Sequence, residues 1–197
     1  DELIGEGVGR GFLGQAFHLE MERLNSLGCG FAHTGDAKQA KGADVLKELE
    51  ELMEIRAGLF EVVIRKIGHQ PSAEWLQILA SGTERLERLA ADPDSGEEYA
   101  ETTYRLIILC ARLAGNQKLH RLLTGLSLQT LRYSKLGLAT VERRQRSASL
   151  WRKALIAQRK GDIESLVALA RTRILESSQE STRQMAARAA SSSRTNE

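Results

Sequence analysis

The 197-residue sequence predicts a mainly α protein, an antiparallel bundle of about six helices with short connections. Only two prolines occur, and Leu, Ala, Arg and Glu are abundant, a composition typical of helices. Between residues 44 and 176 the apolar residues recur every three or four positions, and no alternation typical of strands is present. Each helix of such a region buries one apolar stripe against its neighbours.

The first predicted helix covers residues 44–67 and carries an arginine in its apolar stripe. Arg56 lies between Leu52 and Leu59, and the other stripe positions are Val45, Leu49 and Val63. Because an unpaired buried charge is costly, Arg56 has two interpretations. It pairs with a carboxylate for structural reasons, or it points into a cavity that receives an anionic ligand.

The next two helices are separated by the break ADPDSGEE. Ser72, after Pro71, is the predicted N-cap of the first of them, and its apolar face is Trp75, Leu79, Leu86 and Leu89. The second contains the most apolar stretch of the chain, TYRLIILCARLAGN, and ends at Gly115 and Asn116.

Three more helices complete the predicted bundle. One has Leu119, Leu123, Leu126 and Tyr133 on one side; the next holds Trp151 and Leu155 and ends at Gly161. Asp162 is the predicted cap of the last, whose stripe is Ile163, Leu166, Ala170 and Ile174. Residues 177–197 are rich in Ser, Ala, Arg and Gln, which predicts a flexible C-terminal tail.

The chain is asymmetric in charge. Residues 1–116 hold 12 Lys and Arg against 20 Asp and Glu, and residues 117–197 hold 16 against 6. This pattern indicates either an anionic partner or two surfaces that face each other. The close spacing of five cations favours the anionic partner; they are Arg143, Arg144, Arg146, Arg152 and Lys153.

Signals of an enzyme or a metal site are weak. The sequence has no HExxH, CxxC, P-loop or GxSxG motif, so no catalytic residue is assigned and no enzyme is expected. The histidines, His18, His33, His69 and His120, lack metal-ligand spacing. Two cysteines, no signal peptide and no apolar run long enough for a bilayer predict a cytoplasmic protein that does not enter membranes.

Three segments, in order, resemble the C-terminal effector-binding domain of the GntR superfamily, in its FadR-like branch. They are LEELMEIRAGLFEVV, YRLIILCARLAGN and SLWRKALIAQRKGDIESLVALARTRI. Leu52 and Arg56 match the family's (L/V)xxxR pattern, and Gly115 with Asn116 matches its AxxGN corner. The AxxxGD corner is matched by Ala157, Gly161 and Asp162, and the resemblance covers about residues 44–176.

Many members of that family bind a metal through an Asp and three His. Counting from the two corners places those ligands at Thr103, Ile107, Trp151 and Arg173, none of which is a normal ligand of a divalent cation. The resemblance therefore implies no metal, and a bundle that takes an acyl-CoA or fatty-acid-like effector. The implied effector-binding residues are Arg56, Thr103, Tyr104, Ile107, Asn116, Trp151 and Arg173. The alternative is that Ile107 and Trp151 fill a closed core.

Residues 1–43 resemble a partial or degenerate winged helix-turn-helix, the segment that precedes the bundle in GntR proteins. VGRGFLGQAF fits the recognition-helix pattern in part but has Gly14 where the family has an arginine. The first helix of such a domain has no counterpart, and the segment's net negative charge disfavours phosphate contact. The resemblance implies DNA contacts from Arg10, Gln15 and His18.

The sequence is interpreted as a ligand-responsive bacterial transcriptional regulator. The resemblance implies a homodimer that binds double-stranded operator DNA and a small anionic or amphiphilic effector in residues 44–176. The alternative is a helical ligand sensor or adaptor without DNA binding, and a third class is an enzyme that uses the bundle cavity.

Overall fold

Seven α-helices make up residues 40–194, the region that the computed structural model describes, with side chains described for residues 45–187. This region contains no strand, so the predicted mainly α helical bundle is confirmed. The winged segment predicted for residues 1–43 lies almost wholly outside it. The helices are α1 (Ala40–His69), α2 (Ala73–Ala91), α3 (Gly96–Leu113), α4 (Gln117–Gln129), α5 (Leu131–Gly137), α6 (Val141–Lys160) and α7 (Ile163–Arg194), with a 3-10 turn at Pro93–Ser95.

Local hydrogen bonds fix where several helices begin and end. The Ser72 hydroxyl accepts from the backbone N–H of Trp75 at 3.0 Å, which confirms the predicted cap of α2. The Asp162 carboxylate accepts from the N–H of Ser165 at 3.0 Å and caps α7 in the same way. Gly161 ends α6 with a φ of 70°, a left-handed conformation that a side chain would strain.

The buried face of α1 is rotated relative to the predicted stripe. Met53 and Phe60 are fully buried, whereas Leu52 and Leu59 are half-buried and Val45 is exposed. A helix that contacts neighbours on two sides buries a face wider than a single row. Arg56 belongs to this face and is only 4% exposed.

The single helix predicted from Leu119 to Tyr133 is wrong, because the structure divides it into α4 and α5 at Thr130. The Thr130 hydroxyl donates to the backbone carbonyl of Leu126 at 2.8 Å, a bond that competes with regular helix geometry. The break turns α5 toward α7, where Ser134 meets the interior of the bundle.

The flexible tail predicted for residues 177–197 is wrong for the described residues, because α7 continues to Arg194. Ser177 and Ser181 are buried, and the Ser181 hydroxyl donates to the carbonyl of Tyr133 at 2.5 Å. Gly137 allows the close approach of the two helices: a Cβ there would lie 2.2 Å from the Ser177 carbonyl oxygen. The small residues Gly137, Ser177 and Ser181 thus let the backbones of α5 and α7 pack directly against each other, in a segment of α7 that has few large apolar residues.

The core lies where all the longer helices converge. α1 packs on α7, α2 on α3 and α6, and α6 on α7. Large side chains fully buried there are Phe60, Trp75, Tyr99, Leu123 and Leu155. No helix of residues 40–194 is long and apolar enough to cross a membrane.

Candidate ligand-binding cavity

A buried cavity of about 30 Å³ lies between α1, α3, α5, α6 and α7. That volume holds about two water molecules. The structure brings together five of the seven predicted effector residues in its wall: Arg56, Thr103, Tyr104, Ile107 and Arg173. The same wall includes residues that the sequence analysis did not single out, among them Met53, Ser134, Leu138, Ser147 and Ser177.

Arg56 enters the cavity from α1 and holds only neutral partners. Its Nη1 donates to the Thr130 hydroxyl at 3.3 Å, to the Ser134 hydroxyl at 3.2 Å and to the Met53 sulfur at 3.6 Å. Its Nε is buried without a hydrogen-bond partner. Burial lowers the pKa of Arg56 to about 10, an effect that Tyr104 partly opposes. The group is therefore a cation at neutral pH in a poorly solvated place.

Arg173 approaches the same cavity from α7 and is 6% exposed. Its guanidinium lies over the indole of Trp151, 3.5 Å from the ring centroid, and 5.8 Å from the centroid of Phe60. Its Nη1 has no hydrogen-bond partner. Burial lowers the pKa of Arg173 to about 9, and the nearby charge of Arg56 contributes in the same direction. The two cations thus line the same cavity.

No carboxylate compensates either arginine within the described region. The cavity wall contains no Asp or Glu, and none of the ion pairs among these residues includes Arg56 or Arg173. The interpretation of Arg56 as one half of a structural ion pair therefore lacks a carboxylate partner among the described residues. A pair of buried cations facing one cavity fits an anionic occupant.

Three hydroxyl groups in the wall are also buried without a hydrogen-bond partner. They belong to Thr103 on α3, Ser147 on α6 and Ser177 on α7. Buried polar groups are nearly always paired with protein atoms, water or a ligand, because an unpaired one loses its hydration. Unpaired donors thus occur in wall side chains of four helices, α1, α3, α6 and α7.

The donor set does not fit a divalent cation. The positions that the resemblance assigns to metal ligands hold a hydroxyl at Thr103, an alkyl chain at Ile107, an indole at Trp151 and a guanidinium at Arg173. A guanidinium is a permanent cation and repels a metal ion. Within the described residues, no three or more His, Cys, Asp or Glu are grouped closely enough to hold a metal.

Trp151 and Asn116 lie away from this space. Trp151 faces a second, smaller cavity of about 10 Å³ with Phe60 and Leu79, and Arg173 lies between the two cavities. The Asn116 side chain instead caps α4 by accepting from the N–H groups of Lys118 and Leu119, each at 3.1 Å. Asn116 is exposed, so its predicted contact with an effector is not supported by its position.

The clustered cations of α6 pair with acidic residues or backbone instead of forming a free basic patch. Arg143 and Arg146 both bind Glu176, and Arg152 binds Glu87. Arg144 is fully buried and donates to backbone carbonyls, including that of Asp92 at 2.7 Å and that of Ala139 at 2.8 Å. For these four arginines, the structure favours the interpretation that charged surfaces face each other, and not the interpretation that they bind an anionic partner.

The tertiary positions of Ser134, Leu138 and Ser177 explain why the sequence analysis did not identify them as cavity residues. Ser134 and Leu138 reach the wall because the chain breaks at Thr130, and Ser177 reaches it because α7 remains helical past residue 176. The sequence signal at the break was a single threonine, Thr130, followed by LRYSKLG, and such a stretch is common inside helices. Burial of Ser177 had no signal in its own sequence neighbourhood.

The described residues thus form an all-helical bundle with two buried cations in the wall of one internal cavity. The family model described as the FCD domain matches residues 51–176, so the chain belongs to the FCD domain family. This is the C-terminal effector-binding domain of GntR-family regulators, which supports the predicted superfamily. Neither a search of curated proteins nor a search of solved structures found a match.

Proposed function

We propose that this chain is a ligand-responsive transcriptional regulator of the FadR-like branch, and that its bundle binds a small anionic effector between Arg56 and Arg173. The observation that supports this most is the presence in one cavity wall of two buried guanidinium groups that have no carboxylate partner among the described residues. An anionic ligand supplies charge-assisted hydrogen bonds to both groups, and these are the stronger kind of hydrogen bond.

The size of the cavity favours a small acid over a long acyl chain. A volume of about 30 Å³ takes the anionic group of a ligand only with small side-chain shifts, and a long chain needs much more space. The apolar part of an amphiphilic acid would extend past Arg173 and Trp151 into the second cavity, whose lining is mostly apolar. The acyl-CoA or fatty-acid-like effector stays a prediction that requires the bundle to open.

Ligand binding is best tested by thermal melting and calorimetry of the full chain. We expect at least one of acetate, malonate, gluconate, octanoate and butyryl-CoA to raise the melting temperature at constant ionic strength. Arg56→Met and Arg173→Met should lose that response. Arg171→Met is the matched control, because Arg171 lies on the same helix as Arg173 but forms a partly exposed ion pair with Glu54. Equal responses in all four proteins would contradict the proposal.

Operator binding rests on the family and on residues 1–43, whose predicted DNA contacts Arg10, Gln15 and His18 lie outside the described residues. A regulator of this kind responds only if the effector has different affinities for two states of the protein. Selection of bound duplexes from a random-sequence pool, followed by gel shifts with and without effector, tests this step. Enrichment of a two-fold symmetric site supports a regulator, whereas ligand binding without any enrichment supports the sensor or adaptor.

We also propose a homodimer, since paired DNA-reading segments match the two half-sites of an operator. Light scattering of the full chain at micromolar concentration measures its mass. A dimeric mass is expected with and without effector, and a monomer under both conditions would contradict this part of the proposal.

A further inference from the structure

The net charge of the cavity wall specifies more than the sign of its occupant. Arg56 and Arg173 contribute two positive charges, and the remaining wall residues are neutral. Both guanidinium groups are more than nine-tenths buried, so bulk water solvates neither of them well. A ligand with a single negative charge would leave one buried cation uncompensated, and uncompensated buried charge is strongly unfavourable.

We infer that the occupant of this cavity is a compact, doubly charged tetrahedral oxyanion, as in a phosphate monoester, and not a monocarboxylate. The inference rests on the proposed function, because it specifies the chemistry of the same site.

The positions of the unused donors favour a tetrahedral group over a planar one. Arg56 Nε comes from α1, the Thr103 hydroxyl from α3, and Arg173 Nη1 and the Ser177 hydroxyl from α7. With the Ser147 hydroxyl from α6, unpaired donors belong to wall side chains of four helices. A carboxylate presents its two oxygens in one plane, whereas a phosphoryl group presents three strong acceptor oxygens around a tetrahedron.

The bonds that Arg56 already makes are weak enough to be replaced. They go to the neutral Thr130 and Ser134 hydroxyls at 3.3 and 3.2 Å, longer than the usual charge-assisted bond. A charged acceptor that draws Arg56 Nη1 away costs only these two bonds to neutral groups, and the Thr130 hydroxyl keeps its donation to the Leu126 carbonyl. The small volume also favours one compact dianion over two carboxylates held apart by a linker.

Arg56 and Arg173 keep their charge in the range where a phosphate monoester titrates, because burial lowers their pKa values only to about 10 and about 9. The titratable side chains in its wall are Arg56 from α1, Tyr104 from α3 and Arg173 from α7, while the wall residues of α5 and α6 are not titratable. Behind the wall, burial raises the pKa values of Tyr99 and Cys110 to about 12. Any change of affinity around pH 6 therefore reports the ligand's second ionisation.

Methyl phosphate and methyl sulfate test the inference, because they have nearly the same shape but differ by one charge once the phosphate is fully ionised. Calorimetric titration of the full chain is carried out at about pH 7.5 and about pH 5, on either side of the second phosphate pKa of about 6. At the higher pH we expect methyl phosphate to bind about tenfold or more tightly than methyl sulfate or acetate. At the lower pH the preference should largely disappear.

Variants show whether binding occurs in this cavity. Arg56→Met and Arg173→Met should each abolish the preference for methyl phosphate, and Arg171→Met should keep it. Three results overturn the inference: acetate or malonate binding at least as tightly as methyl phosphate, a preference that is independent of pH, or a preference that survives both cavity variants. In the first case, if binding still requires Arg56 and Arg173, the proposed anionic effector site stands. If no anion binds in any arm, the inference and the proposed function both fail.

Discussion

Arg173 lies over Trp151 with its guanidinium carbon 3.5 Å from the ring centroid, at two positions where the GntR resemblance places metal ligands. The aromatic face stabilises a cation that has no carboxylate partner in the described region. The charge at this end of the cavity is thus supplied by a side chain, where metal-binding relatives would use an ion.

Replacing Arg173 by methionine should stabilise the ligand-free protein. Methionine keeps much of the packing volume but removes a buried charge, and exchanges of this kind often raise stability by about 1–3 kcal/mol. Urea denaturation of the native chain and Arg173→Met measures the difference. Arg171→Met is expected to change the free energy of unfolding by about 0–1 kcal/mol, since the ion pair of Arg171 is largely solvated. A large loss of stability in Arg173→Met would identify Arg173 as a structural residue.

Arg56→Ala separates a binding role from a structural one. Because no carboxylate of the described residues pairs with Arg56, its removal strands no charge there, and the free energy of unfolding should fall by less than the loss of a buried ion pair would cause. Affinity for the anionic ligand should weaken by about 1.5–3 kcal/mol, the contribution of a charge-assisted hydrogen bond. Arg65→Ala is the control on the same helix, since Arg65 pairs with Glu61 and Glu164 at the surface. A destabilisation of about 3–5 kcal/mol would instead indicate a buried ion pair.

Glu176 should contribute stability that depends on pH. Hydrogen bonds from Arg146 and Arg143 hold the pKa of this carboxyl below its usual value, against the opposing effect of partial burial. Its contribution is therefore complete above the unfolded pKa of about 4.3 and is lost as the pH falls through the lower folded pKa.

Glu176→Gln is expected to lower the free energy of unfolding by about 1 kcal/mol at neutral pH, and the difference should vanish in acid. Urea denaturation across a pH series measures both values. Glu50→Gln, an exposed change on α1, should show no such trend. A difference between Glu176→Gln and the native chain that persists in acid would contradict the ion-pair origin.

Gly137→Ala tests whether the helix beyond residue 176 is packed. The added Cβ would lie 2.2 Å from the Ser177 carbonyl oxygen, so α5 and α7 must separate, at a cost of about 1–3 kcal/mol. Gly125→Ala on α4 is the control, because a Cβ there meets nothing within 4 Å. It should stabilise by about 0.5–1 kcal/mol through helix propensity. Similar melting temperatures for the two variants would show that residues after 176 do not pack on α5.

The sequence alone was enough to determine the helical class and most of the helix boundaries. The caps at Ser72 and Asp162 and the left-handed Gly161 depend on hydrogen bonds and backbone angles within a few residues. Such local interactions are encoded in short stretches, which is why periodicity and cap residues predicted them. The sequence also identified Arg56 as an anomaly, because a charge in an apolar stripe stands out without any knowledge of its neighbours.

Only the tertiary structure decided what surrounds that arginine. The partners of Arg56 are Thr130 and Ser134, more than seventy positions away along the chain, and Arg173 reaches the same cavity from the last helix. Tertiary packing likewise keeps α7 helical past Ser177, and it pairs the α6 arginines with acids of other helices. A contact between distant segments depends on how whole helices orient. Spacing and composition within one helix do not carry that information, because the free energy of such a contact depends on the assembled bundle.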